Sequence, residues 1–565
     1  MSDGTNIGAA LFEAARSRPD DAAIHVPIGR ERDGRRRYRA HTYAELAGAS
    51  DRIARGLVAT GVGKGTRAAL LVPPSFELFA LVFGMFRAGV VPVMLDPGIG
   101  PKHLKACLAE AAPEAFIGVS KAHLARVVLR WARPTVKTLV TVGRRWLWGG
   151  LTLAEVEARG EASNMRLDPT SPEDLAAILF TSGSTGAPKG VEYRHRHFLE
   201  QVAMIRDCYA IEPGEVDLPT FPLFGLFDPA LGMTTVLPDM DFTRPARLDA
   251  AHFVEIAQRF GATNMFGSPA VLDTLSRHGA AIGARSESPA MPKIRRVISA
   301  GAPVPGAVLE RMRSLLPPGT PIHTPYGATE NLPVATIASD TILTETWART
   351  REGAGVCVGA PVPPNDVRVI RIDDGPVPQW SDELEVPAGT VGEITVLGPT
   401  TTEAYWARPE ATKLAKIAHG GRVRHRMGDL GYVDSVGRIW FCGRKAHRVR
   451  TAHRELYTAQ VEGIFSDHPG VRRVALVGVG DPSAQRAVVW VELEPGCRTP
   501  FDAIAEGLRA RGATHAITAA IDTFLVHGGF PVDIRHNAKI GYEALAKEAA
   551  KVLAIPPAKA ARRGA

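Results

Sequence analysis

The chain has 565 residues, 45% of them hydrophobic and 22% charged, with no long low-complexity tract; this excludes a disordered or fibrous protein and implies two or more domains with buried cores. The net charge of +8 is spread over 67 basic and 59 acidic residues, so no nucleic-acid-binding function is expected. Cys107, Cys208, Cys357, Cys442 and Cys497 stand far apart and never as a CxxC pair, which argues against a disulfide framework or a zinc site and fits a reducing cytosol.

In chain order, the opening "MSDGTNIGAALFEAARSRPDD" lacks a basic segment followed by an apolar one, so no secretory leader is expected. The basic run "RERDGRRRYR" (30–39) carries an Asp-Gly turn and reads as an exposed hairpin tip. The apolar stretch 68–86 contains Pro73, Pro74, Ser75 and Glu77, so it predicts a strand, a turn and a helix rather than a membrane span. Apolar runs then alternate with helical patterns: "VVPVML" before "PKHLKACLAEA", and "AFIGV" before "KAHLARVVLRWA". This predicts parallel sheets covered by helices to about residue 340. "RRWLWGG" (144–150) reads as a docking patch, a membrane-surface contact or a hairpin tip packed on its own domain.

From about 353 to 440 the runs shorten and alternate, as in "DVRVIRI" and "GEITVLG", predicting an antiparallel, small barrel-like part. A compact α+β unit follows. The expected fold is therefore α/β, with a large N-terminal domain (1–443) of helix-covered sheets plus the barrel-like part, and a small, mobile C-terminal domain (444–565).

The chemistry concentrates first in "LFTSGSTGAPKGVEYRH" (179–195). "DLAAILF" before it reads as a buried strand and "HRHFLEQVAMI" after it as a helix. A Gly/Ser/Thr loop between them can aim backbone N–H groups and hydroxyls at phosphate oxygens. It is not a Walker A loop, because Lys189 lies only three residues after Gly186 and is followed by Gly190.

"FTSGSTGAPKGV" resembles the phosphate-loop signature of the acyl-adenylate-forming superfamily, which includes acyl-CoA synthetases, luciferases and nonribosomal adenylation domains. Further matches follow in family order over almost the whole chain: "FRAGVVPVMLDP" (86–97), "SAGAP" (299–303), "YGATE" (326–330), "MGDLGYVD" (427–434), "GRIWFCGRK" (437–445) and "RHNAKIGYEAL" near the end. The resemblance implies ATP and Mg²⁺. It places Thr181, Ser182, Gly183, Ser184, Thr185, Gly186 and Lys189 on the β- and γ-phosphates. Tyr326 and Gly327 would lie at adenine, with Gly301, Ala302 and Pro303 as the thin opposite wall. Thr329 would donate to the α-phosphate, Glu330 would bind the metal, Asp429 would hold the ribose hydroxyls with Arg444 behind it, and Lys539 would be the catalytic lysine. A cation at that point stabilises charge as a carboxylate attacks the α-phosphorus.

Departures from the family pattern bear on the acid that is activated. "FPLFGLFDPALGMTTVLPDMDFTRPARLD" (221–249) has Gly225 where relatives usually carry histidine, Ala446 stands where Asp or Lys is usual two residues after the hinge arginine, and His453 takes a glycine position on the pantetheine path. Together these resemble the β-lactone synthetases of olefin biosynthesis, which use no external thiol. That resemblance implies a long-chain 2-alkyl-3-hydroxy acid converted through an acyl-AMP to a cis-3,4-dialkyl β-lactone, AMP and diphosphate. An acyl-CoA or acyl-AMP ligase is the alternative. Phe224, Gly225, Phe227, Asp228 and Gly267 are the expected pocket residues, with 221–240 and 264–275 as its walls. Asp228, His453 and the AMP phosphate are the candidate proton acceptors. A condensing enzyme, a reductase and a lactone decarboxylase are the implied partners, in the cytoplasm and with membrane association through those partners.

Overall fold

The computed structural model describes residues 6–95, 97–181, 188–283, 288–532 and 539–555. Two seven-stranded sheets carry the N-terminal part. The first runs in the order Leu151–Thr152, Thr138–Val142, Ala115–Val119, Arg67–Leu71, Val91–Met94, Leu175–Phe180, Gly190–Arg194. All its pairings are parallel except the last. The second sheet is parallel from Ile322–His323 through Arg296–Ser299, Asn264–Gly267, Val216–Pro219 and Thr234–Val236 to Ala22–Arg30, where the hairpin partner Arg36–Thr42 closes the edge. The tip of that hairpin, residues 31–35, lies within the basic run 30–39, as its Asp-Gly turn predicts, and the rest of the run belongs to the two strands.

The helix Phe76–Arg87 explains how the two sheets face each other. It is buried at nine consecutive residues, Leu78 to Phe86, an all-round apolar pattern that can be satisfied only in the interior. Ser75 caps its first turn by accepting from the Leu78 N–H. One core cluster contains this helix, Ala68 and Ile117 of the first sheet, and Ile24 and Phe266 of the second, so the helix layer lies between the sheets. At Gly84 a Cβ would lie 2.8 Å from the Ser50 carbonyl, which is why glycine sits where this helix crosses Tyr43–Ala59.

A third, wholly antiparallel sheet of eight strands spans Tyr326–Ala328 to Ile439–Arg444. It begins at Tyr326, not near 353, because "YGATENLPVAT" is itself a tight hairpin. A short turn, Lys445–His447, leads to the last unit, where Val471–Val479, Arg486–Leu493 and Thr523–Val526 form a three-stranded sheet packed by Thr458–Phe465, Phe501–Ala513 and Tyr542–Val552. This unit is tied back through Arg351 to Asp467 and Glu352 to His515.

Two local expectations are corrected. The glycine-rich loop is followed by a strand, Gly190–Arg194, before the helix His195–Tyr209, so the segment it connects to is an antiparallel strand rather than the helix. The run 144–150 is not a hairpin tip, since its flanking strands, Thr138–Val142 and Leu151–Thr152, pair in parallel.

Candidate active site

A cavity of about 570 Å³ opens where the three sheets and the C-terminal unit meet, and it has two chemically distinct ends. One is polar. The Thr181 N–H donates to the Lys189 carbonyl at 3.0 Å and the Lys189 N–H to Thr181 Oγ1 at 3.3 Å, which fixes both ends of the glycine-rich loop at the cavity wall. The loop residues Ser182, Gly183, Ser184, Thr185 and Gly186 lie outside the described residues. Lys189 Nζ sits 4.8 Å from the centre of the Tyr405 ring, and the Tyr405 hydroxyl donates to Glu330 at 2.5 Å. Lys416 approaches the same ring and donates to Thr402. Its burial lowers its pKa to about 8 against the pull of Glu330 and Glu403.

Thr329 and Glu330 lie at this end because the strand pair Tyr326–Ala328 and Asn331–Thr336 turns there. At Gly327 a Cβ would sit 2.9 Å from the Asn331 carbonyl oxygen, so any side chain there would force the hairpin backbone to shift. The Tyr326 hydroxyl donates to Asp429 at 2.6 Å. Asp429 and Arg444 are cross-strand partners on neighbouring strands and form an ion pair at 3.0 Å; the carboxylate holds the guanidinium pKa above its usual value despite burial. Gly301, Arg444, Ala446 and Lys539 all line the cavity, so residues more than 350 positions apart from Thr181 to Lys539 meet at one place. Ala302, Pro303, Tyr326 and Asp429 adjoin lining residues in the chain without lining the cavity themselves.

The other end is apolar and largely aromatic. Phe83 and Phe86 of the buried helix face Phe221, Phe224 and Phe227 from the turn after Val216–Pro219. Phe224 stacks on Phe266 with ring centres 3.9 Å apart. The expected wall 221–240 thus contributes its first half, up to Ala230, while Leu231, Met233 and Leu237 are plain core. In 264–275 only Phe266 reaches the cavity; Met265, Val271, Leu272 and Leu275 pack a separate core.

Four expected site residues are corrected. Gly225 does not line the cavity: a Cβ there would lie 2.9 Å from Pro219 Cγ, so glycine answers a packing constraint. Gly267 likewise faces Val271 and Leu272. Asp228 is buried away from the cavity, accepting from the Thr235 hydroxyl at 2.8 Å beside Asp217. Burial, then mutual repulsion, raises the Asp228 pKa, so this carboxyl keeps a proton for its neighbour and is no base for substrate. His453 is exposed on the turn between Val449–Arg450 and Glu455–Leu456 and touches no part of the cavity.

Sequence reasoning missed His425, which lines the cavity four residues before Asp429. It is buried, and its Nδ1 lies 3.1 Å from the Ala415 carbonyl. A carbonyl can only accept, so Nδ1 carries the proton and Nε2 keeps its lone pair. Burial, followed by Lys416, Lys189 and Arg444, holds its pKa well below the usual value, and the ring is neutral.

This arrangement, two open α/β sheets, an antiparallel sheet and a small cap around one polar-apolar cleft, agrees with comparison to known proteins. The model of the AMP-binding enzyme family matches residues 11–406. The olefin beta-lactone synthetase of Xanthomonas campestris pv. campestris is 54% identical over 98% of this chain and 98% of its own. That of Stenotrophomonas maltophilia is 52% identical over 97% and 98%. Among solved structures, the amide bond synthetase of Marinactinospora thermotolerans superposes with a TM-score of 0.76 at 23% identity, covering 96% of this chain and 99% of that one, a likeness of fold. The chain belongs to the AMP-binding, acyl-adenylate-forming enzymes and, within them, groups with the olefin beta-lactone synthetases.

Proposed function

We propose that the protein is an ATP-dependent β-lactone synthetase that activates a long-chain 2-alkyl-3-hydroxy acid as its acyl-AMP and closes the ring with the substrate's own 3-hydroxyl. The observation that carries this reading is the single cavity in which an aromatic chamber opens directly onto the end bearing Thr329, Glu330, Arg444 and Lys539. The identity with the two olefin beta-lactone synthetases supports the same substrate class.

In the first step the carboxylate oxygen attacks the α-phosphorus and diphosphate leaves. Thr181, Lys189 and the loop 182–186 grip the departing phosphates, Thr329 donates to the α-phosphate, and Lys539 bridges the incoming carboxylate and that phosphate, stabilising charge where it develops. Tyr326, with Gly301, Ala302 and Pro303, forms the adenine site, and Asp429, fixed by Tyr326 and Arg444, takes the ribose hydroxyls. Glu330 fits a magnesium ion: it is a single carboxylate at the cavity wall, one of whose oxygens is oriented by Tyr405, and magnesium takes one or two carboxylates with substrate phosphates completing its shell. When bound, the ion would neutralise phosphate charge. Residues 444–565 form the cap that delivers Lys539 and excludes water.

In the second step the 3-hydroxyl oxygen attacks the activated carbonyl carbon, the C–O–P acyl bond breaks, AMP leaves and the hydroxyl proton passes to a base. His425 Nε2 is the acceptor offered by the cavity, and the anionic adenylate beside it favours the imidazolium that results. The intramolecular nucleophile needs only to be oriented, which the aromatic chamber does by fixing both alkyl chains. Ring strain is offset by the reactive anhydride. In the cytoplasm a condensing enzyme and a reductase would supply the acid and a decarboxylase would consume the lactone.

Mass spectrometry after incubation with a 2-alkyl-3-hydroxy acid and ATP should find lactone, AMP and diphosphate at a rate indifferent to coenzyme A. Thioester formed only when coenzyme A is present, with no lactone, would make the protein an acyl-CoA ligase instead.

A further inference from the structure

Six of the thirteen large hydrophobic side chains left exposed among the described residues occur on one helix and one loop: Leu124, Val127, Val128 and Leu129, then Trp146 and Leu147. The helix Ser120–Leu129 and the loop 143–150 are neighbours. His123 stacks on Trp148 with ring centres 5.3 Å apart and planes at 9°, Trp148 lies 5.4 Å from Trp146, and the Ser120 hydroxyl donates to the Arg144 carbonyl. Leu124, Val127 and Val128 fall at i, i+3 and i+4, so they share one helix face. The loop projects beyond it: Leu147 is 103% exposed, a side chain with no protein neighbour over it.

The charge around this patch has one sign. Between Glu114 and Glu155 the chain has no acidic residue and seven lysines and arginines. Lys121, Arg130, Arg133, Lys137, Arg144 and Arg145 are exposed. Among the described residues only Arg145 of these six is in an ion pair, with Glu155. The other basic cluster, 30–39, is different in kind, because Arg35, Arg36 and Arg37 pair with Asp33, Asp239 and Glu31.

We propose that the helix Ser120–Leu129 and the loop 143–150 form a docking face for an anionic lipid bilayer, with Trp146 and Leu147 entering the interface and the surrounding lysines and arginines meeting lipid phosphates. Protruding apolar tips ringed by unpaired cations suit a soft, negatively charged surface, into which the tips can sink while the cations meet its charge. Tryptophan is the side chain best suited to the headgroup region. Among the described residues no helix is long and apolar enough to cross a membrane, so the contact is peripheral. The proposal rests on this surface alone and does not depend on which acid the active site takes.

The test is flotation of the full-length protein with vesicles of phosphatidylcholine alone and of phosphatidylcholine mixed with phosphatidylglycerol. The protein should float with the mixed vesicles and not with the neutral ones, and high salt should release it. Trp146→Ser with Leu147→Ser should weaken binding at least about tenfold, as should, by removing charge instead of apolar area, Arg130→Glu with Arg144→Glu. ATP-dependent diphosphate release should be unchanged in both variants, which certifies their folding. Absence of binding by the unaltered protein, equal binding by the variants, or retention of a soluble acidic protein by this face without vesicle binding would each overturn the proposal.

Discussion

The two ends of the cavity are built on different principles. At the polar end, several side chains are held by a second group: Glu330 by Tyr405, Lys189 over the Tyr405 ring, His425 by the Ala415 carbonyl and, beside the lining, Asp429 by Tyr326 and Arg444. Those groups come from segments as distant as Lys189 and Arg444. At the apolar end the wall is mostly contiguous chain, 221–230, against one buried helix, and rings pack on rings. The contrast teaches that the first half of the reaction depends on orientation enforced by paired charges, and the second on the shape of a hydrophobic chamber. Damage to one end should therefore be separable from damage to the other.

The largest separation is expected at Lys539. Lys539→Ala should slow diphosphate release by about 10²- to 10³-fold, corresponding to roughly 3 to 4 kcal/mol of transition-state stabilisation, while affinity for the alkyl chains stays nearly constant. Stopped-assay kinetics with varied acid concentration read both quantities. Full activity in this variant would remove the lysine from the mechanism.

His425 tests the junction between the ends. His425→Phe should leave diphosphate release close to normal yet slow lactone formation by about 10²-fold, so that acyl-AMP accumulates and is detectable by rapid quench. Equal loss of both steps would mean that the ring serves packing only.

The cap offers a third probe, because it carries Lys539 to the polar end and should leave the chamber untouched. Glu462 is partly buried there beside Tyr542, and burial raises its pKa to about 8 against hydrogen bonds from the Leu476 N–H and the Tyr542 hydroxyl. Between its unfolded value near 4.5 and about 8, the folded state keeps a proton that the unfolded state has released. Stability of the cap therefore falls as pH rises through this window, by at most about 1.4 kcal/mol per pH unit. Denaturant titrations at several pH values should show that slope, and Glu462→Gln should remove it.

The smallest effect is expected within the chamber. Ala230→Phe should narrow it, and each methylene thereby excluded should cost about 0.8 kcal/mol, close to fourfold in kcat/KM, for long-chain acids only. Short-chain acids should be turned over as before.

The same contrast accounts for what could be read from sequence. Much of the polar end was legible because its chemistry is carried by short motifs: "YGATE" and "MGDLGYVD" each place a hydroxyl or carboxylate at a fixed offset from a turn, Thr181 and Lys189 bound the glycine-rich loop, and the parallel sheets announced themselves in alternating apolar and helical runs. The apolar end was only half legible. Phe224 and Phe227 face the cavity, but their neighbours Gly225 and Asp228 turn inward, and nothing in "PLFGLFDPAL" distinguishes a wall residue from a core residue. His453 was misplaced because its importance depended on the path of a turn, and His425 was overlooked because its role depends on which strands lie against it. Hydrophobic shape is a property of packing, and packing is set by residues far away in the chain.

The central claim is that the carboxyl group is activated and the 3-hydroxyl closes the ring. It is tested most directly by labelling the substrate with ¹⁸O, in separate experiments, at the carboxylate and at the 3-hydroxyl. The account predicts that one carboxylate oxygen appears in AMP, the other in the lactone carbonyl, and that the 3-hydroxyl label is retained as the ring oxygen. Unlabelled AMP from the carboxylate-labelled acid, with loss of the 3-hydroxyl label from the lactone, would contradict it, because the hydroxyl would then be the activated group and the carboxylate the nucleophile.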